Sequence, residues 1–343
     1  MGRVVSCAFV LLLLAACSRD NQVPLPKLPE GPIELRVVYL VNPRFPSVSP
    51  EEVRAVLDSA ADTVKKHFGR AVRFTVPEVR PIETYFQKID ARARARADSF
   101  IFDFKRGKGD LRRLRKGFQH DLRETGDDLH AMIAYAQPHL VTPVKGQSYE
   151  ALVDALMETQ LARLKDLTAQ RAADGRPVID DQPFNEFVYW NLMAAIGVPY
   201  EIILTNQLLA SVEYSENSVH SAVRGGVTNG VTAGNPASRY KASAIASVYS
   251  FISEDAVIKV LRDGETYARR DALRFAGVLL AHEIGHQLWH LGHPYGRREC
   301  VMNPTPLLHF KRWVEALAPA ECPFSKEGAM KPGFAKIYTT PLN

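Results

Sequence analysis

The 343-residue chain has little that could cross a bilayer, few thiols and little surplus charge. A spanning helix needs about 20 apolar residues in a row. The apolar run at residues 4–14 has 11, and no second span follows. A polytopic helical membrane protein is therefore excluded. Cysteine occurs four times, at positions 7, 17, 300 and 322. The net charge is +5, modest for this length, and neither an internal repeat nor a nucleic-acid-binding module is visible, so a nucleic-acid partner is set aside. What is present, 46% hydrophobic and 24% charged residues, is the composition of a soluble globular protein. The length suits one large domain or two small ones.

The N-terminus reads as an address rather than as part of the fold. Arg3 precedes the apolar run, which has the length of a signal-peptide core. The run ends in Leu14-Ala15-Ala16-Cys17, which resembles a bacterial lipobox. That resemblance implies removal of residues 1–16 and lipidation of Cys17. Ser18, with no Asp beside the cysteine, is similar to the pattern of outer-membrane sorting in Gram-negative lipoproteins. The expected localisation is the cell envelope, with a membrane partner reached through the lipid anchor. Residues 17–32, with four prolines, read as an extended tether. Cys300 and Cys322 remain, and outside the cytosol such a pair is a disulfide candidate, with a stabilisation of about 3 kcal/mol.

Residues 33–41 are rich in β-branched side chains and read as a strand. Ser49-Pro50-Glu51-Glu52 forms a capping box with proline at the first helical position, and the spacing predicts a helix to about Phe68, stopped at Gly69. Residues 71–79 read as a second strand. This β-α-β start points to an α+β fold with a mixed sheet. From residue 88 to 123 there are twelve Lys or Arg against five Asp, and residues 149–171 have helical periodicity. We read residues 88–180 as a mainly helical insertion whose basic side chains form a solvated face. Residues 200–210 return to strand character. Residues 215–236 read as a glycine-rich loop, and a small apolar run follows at 242–252.

Residues 282–286 read His-Glu-Ile-Gly-His. Two histidines four apart on a helix lie on one face, one turn above the other, so both rings can reach one zinc ion at about 2.0–2.1 Å. Glu283 lies beside them, placed to take a proton from an activated water. The host segment, residues 267–291, lacks proline and carries an apolar stripe through Leu273, Ala276, Leu280, Ile284 and Leu288. Gly292 then gives a stop and Pro294 blocks continuation. Zn2+ is the expected cofactor, held by His282 and His286. Three residues compete for the third ligand position. His293 follows Gly292, where the chain can reverse. On an unbroken helix His290 and His282 are about 12 Å apart at Cα, which would force the ion in line between them, and a tetrahedral site rejects that. Glu299 is the third candidate, and Cys300 as a ligand competes with its disulfide reading.

With Met302 in Cys300-Val301-Met302-Asn303-Pro304 downstream, residues 282–304 resemble the metzincins, in particular archaemetzincins and matrix-metalloproteinase-like enzymes. The resemblance implies a zincin-like mixed sheet and a long zinc helix that breaks before a third histidine. It also implies Met302 as a methionine turn beneath the metal. An edge strand would bind substrate by β-addition, for which residues 200–210 or 241–251 are candidates. Residues 33–343 would form one metallopeptidase domain, with 88–180 inserted. Trp289 stands where the family places its glycine, and His293 comes one residue later than the family's third histidine. An oxyanion stabiliser is also needed, with Tyr295 and His220 as candidates. The expected function is hydrolysis of peptide bonds in a peptide or protein substrate of the envelope, with Glu283 as general base. The competing reading is a non-catalytic envelope binding or assembly lipoprotein with a structural zinc site.

Overall fold

Ser49 Oγ accepts from the Glu52 amide at 3.3 Å, and the Ser49 amide donates back to Glu52 Oε2 at 2.9 Å. These reciprocal bonds start helix α1 (Pro50–Phe68), and Gly69 ends it in the left-handed conformation at φ 68°. The computed structural model describes residues 23–98, 109–124, 128–179, 193, 196–211 and 218–319. Cys17, Cys322 and the signal segment lie outside them. Among the described residues the strands are β1 (Ile33–Leu35), β2 (Val37–Val41), β3 (Val72–Phe74), β4 (Glu78–Pro81), β5 (Ile202–Thr205), β6 (Leu209–Ala210), β7 (Val227–Thr228), β8 (Gly230–Gly234) and β9 (Ala242–Ser247). The helices after α1 are α2 (Glu83–Phe86), α3 (Ala91–Asp98), α4 (Leu111–Glu124), α5 (Leu129–Ala136), α6 (Tyr149–Ala169), α7 (Val219–Val223), α8 (Tyr249–Ile252), α9 (Ala256–Leu261), α10 (Arg269–Trp289) and α11 (Phe310–Ala316).

The fold is mixed α and β around a five-stranded sheet in the order β4-β2-β5-β9-β8. The first four strands are parallel, and β8 runs antiparallel along β9. The single strand expected over residues 33–41 is two strands, because Arg36 leaves the ladder. Its amide donates to Glu201 Oε2 at 2.8 Å, and its guanidinium binds the same buried carboxylate. β1 therefore pairs with β3, while β2 enters the main sheet. The strand expected over residues 71–79 is likewise divided into β3 and β4.

Alternation along the strands divides the interior. Val37, Tyr39, Ile202, Leu204, Ala244 and Ala246 face a large core shared with α1 and α10. Val38, Leu40, Ile203 and Ile245 face a smaller one with Ile82 and Phe86. The alanines of β9 leave room for α10, and Gly277 lets α10 touch α1, since a Cβ there would lie 2.5 Å from the Val56 carbonyl oxygen.

Helices α4, α5, α6 and α7 enclose a third core that includes Phe118, Met132, Leu152, Leu156, Val223 and Tyr295. α6 belongs to two cores at once, because Leu164 and Leu167 join the sheet-side core. The segment read as a free tether is held down over its described part. Val23 is buried against Ala242, and Leu28 packs on the main core. Among the described residues no helix is long and apolar enough to cross a membrane.

Candidate metal centre

His282 and His286 lie one turn apart on α10, and their rings turn toward one point. α10 ends at Trp289, two residues short of the expected stop. His290 takes the left-handed cap at φ 52°, ψ 41°, and Gly292 has no positive φ. This reversal brings His293 back over the helix end. The Nε2 atoms of His286 and His282 lie 3.0 Å apart, those of His286 and His293 3.0 Å, and those of His293 and His282 3.3 Å. Ligands of a tetrahedral zinc ion at 2.0–2.1 Å lie about 3.3 Å from one another.

The tautomers suit a cation. His282 Nδ1 lies 2.8 Å from the Val301 carbonyl oxygen, and His286 Nδ1 meets the Leu291 carbonyl. A carbonyl only accepts, so each Nδ1 carries its proton and each Nε2 keeps a lone pair. Lone pairs that face one another at this distance repel, and a cation between them removes the repulsion. Burial also holds the rings neutral. His286 is lowered to about 4, chiefly by desolvation, and His282 and His293 fall well below the ordinary value for the same first reason. Among the described residues these three form the one histidine, cysteine or carboxylate cluster with metal-ligand spacing.

The other ligand candidates lie outside the cluster. His290 is outside the cluster, and its Nε2 is buried with no partner. Glu299 pairs with Arg297 at 2.8 Å. Cys300 is disulfide-bonded, which withdraws its sulfur from ligation. Met302 lies beneath the helix. A Cβ on Gly285 would meet its Sδ at 2.5 Å, so the glycine before His286 is what admits the methionine. The same turn supplies the Val301 carbonyl that holds His282, and Trp313 Nε1 fixes the next residue through the Asn303 carbonyl at 2.8 Å.

Glu283 is 4% exposed and faces a small cleft that is also lined by His282, Arg224, Asn229 and Thr305. Thr232 Oγ1, on β8, lies 3.0 Å from Glu283 Oε2 and 2.9 Å from its backbone oxygen. Gly230 lies against the carboxylate, where a Cβ would come within 2.5 Å of Oε1. β8 is thus the strand at this edge of the sheet. In the main sheet the two stretches expected to supply an edge strand contribute β5 and β9, which are both interior, with neighbours on both sides. The sequence Gly-Val-Thr-Ala-Gly reads as loop because glycine disfavours strands, and pairing with β9 overrides that preference.

His220 and Tyr295 stand next to the cluster. His220 Nδ1 lies 3.3 Å from Tyr295 Oη, its Nε2 lies 3.1 Å from Ser218 Oγ, and its ring centroid is 4.8 Å from that of His293. Tyr295 is buried in the helical core. Arg224, Asn229, Thr232 and Gly230 carry no spacing signal in the sequence and emerge only from the tertiary arrangement. Searches of protein-family models, curated proteins and solved structures returned no match to this chain.

Proposed function

We propose that this chain is a zinc-dependent metallopeptidase of metzincin-like build, acting in the cell envelope from a lipid anchor on Cys17. The observation that carries the reading is the convergence of three histidine Nε2 atoms, those of His282 and His286 unprotonated, next to a buried glutamate that lines a cleft. His282, His286 and His293 would hold the ion. A structural zinc site closes itself with a fourth protein ligand, whereas a catalytic one keeps three and leaves a position open. Among the described residues the cluster has three. Zinc bound there supplies a Lewis acid for the scissile carbonyl and lowers the pKa of water toward neutrality.

The protein's own groups do the rest. Glu283 takes a proton from the attacking water and returns it to the leaving amine. Thr232 steers that carboxylate, and the outer edge of β8 offers backbone groups for an extended peptide to pair with. The antiparallel edge strand, the broken zinc helix and the methionine below it are what the metzincin resemblance implies. The family's third histidine follows its glycine by three positions, and here His293 follows the reversing residue, His290, by three. The helix runs one residue longer, and reversal and ligand move together.

The test compares wild type with Glu283→Gln for metal content and for cleavage of a broad peptide library. One zinc per chain in both is expected, with cleavage lowered by about 10²–10⁴-fold in the variant. Full activity in Glu283→Gln would remove the mechanism, and absence of zinc from both would remove the proposal.

A further inference from the structure

Arg224 caps the five-residue helix α7 and is 4% exposed, yet it lines the same cleft as Glu283. Among the described residues no carboxylate lies within ion-pair distance of it, and Glu283 acts on it only as a charge in the same cleft. Its Nη2 donates to the Thr305 carbonyl, and its Nε is buried without a partner. Guanidinium groups are rarely buried unless paired, because desolvation of an unneutralised cation is costly. Two neighbours in the cleft are in the same condition. Asn229 has both side-chain amide atoms buried and unpartnered, and so is Thr305 Oγ1. A guanidinium, an amide and a hydroxyl therefore converge on one small volume with unused hydrogen-bonding capacity.

The backbone here is built rather than loose. Gly225, at φ 73°, presses against α6, where a Cβ would lie 2.7 Å from Arg163 Cβ. Gly226 places its carbonyl 2.6 Å from the Ser211 amide. α6 and the β6–β7 ribbon thus fix the turn that aims Arg224 into the cleft.

We propose that Arg224, with Asn229 and Thr305, is a carboxylate-recognition subsite that selects substrates carrying a negative charge beside the scissile bond. The inference rests on the peptidase reading and deepens it. A planar carboxylate accepts two parallel bonds from a guanidinium, and the Asn229 amide and Thr305 hydroxyl can donate to its remaining lone pairs. The carboxylate is either the C-terminus of a peptide or the side chain of Asp or Glu.

The test uses N-acetylated hexapeptides in four matched forms: free or amidated C-terminus, each with Glu or Gln at one internal position. Binding is read on the full-length Glu283→Gln chain and cleavage on wild type. Loss of roughly 100-fold on amidation identifies a terminal carboxylate, and the same loss on Glu-to-Gln exchange in the peptide identifies an acidic side chain. Arg224→Gln should lose that factor on the charged peptide and less than about threefold on its neutral partner, while Arg224→Lys recovers part of it. A simple structural role, or a role on the scissile carbonyl, would lower all four peptides equally and overturns the proposal. Equal affinity for the four forms overturns it too, as does failure to bind any of them. Selective binding without cleavage would sink the peptidase reading and leave the subsite standing.

Discussion

His290 adopts a conformation that costs an L-residue about 1–2 kcal/mol, and its buried Nε2 has no partner. It is the hinge that places His293 and lies outside the histidine cluster. Both His290→Gly and His290→Ala should keep one metal ion per chain, with the glycine variant about 1 kcal/mol the more stable in thermal unfolding. Metal lost from both would show the histidine itself at the ion. Gly285 is the converse case, a residue defined by what cannot be added. Gly285→Ala pushes Met302 and Phe68 away and should destabilise by about 1–3 kcal/mol, measured by denaturant unfolding, with weakened metal retention. His67, on α1 and outside the histidine cluster, gives the chain a pH dependence of its own. It is buried in α1 with Nδ1 unpartnered, and desolvation lowers it to about 4. The unfolded chain, with an ordinary value near 6.5, binds the proton first, so stability is full above about pH 6.5 and falls as pH drops toward 4. His67→Leu should flatten that part of the profile; an unchanged slope between pH 6.5 and 4 would assign it to other groups.

At the scale of elements, α1 was readable to the residue because its signals are local. Ser49, Pro50, Glu52 and Gly69 act within one turn of the positions they define. α10 was readable through its stripe and its His-Glu-Ile-Gly-His motif, but its end was not. Gly292 is the stronger stop on propensity, yet the helix breaks at His290, which lets the Leu291 carbonyl meet the His286 ring. β8 was unreadable for a related reason. Its five residues include two glycines, and strand character comes from its partner β9 across the sheet. The fit between β8 and α10 gives a prediction at this scale. Gly230→Ala places a methyl against Glu283 Oε1 and should lower peptide turnover by about 100-fold with metal content unchanged. Normal turnover in that variant would mean that Glu283 need not occupy the observed position.

Over the whole molecule, α6 ties the helical layer to the sheet layer. Leu152 and Leu156 fill the helical core, Leu164 and Leu167 fill the sheet core, and Gln160 Nε2 reaches the Ser211 carbonyl at 2.7 Å. The helical stretch is therefore a supporting wall of the cleft, and its removal would free the turn that carries Arg224. Leu156→Ala should cost about 2–5 kcal/mol, and loss of helical signal on heating should coincide with metal release. Metal held after the helical signal is gone would separate the two layers. The basic run between residues 88 and 123 pointed to a solvated face, and over α4 it does alternate with a buried stripe of Leu114, Phe118 and Leu122. By itself the sequence determined what backbone periodicity can express: the bounds of α1, the apolar stripe of α10, and two histidines on one helical face with a glutamate beside them. Only the tertiary structure decided which histidine joins His282 and His286, which strand forms the edge, and the arginine in the cleft. Each depends on a contact between segments far apart in the chain, where packing and buried hydrogen bonds outweigh local propensity, and no spacing along the sequence encodes such a contact.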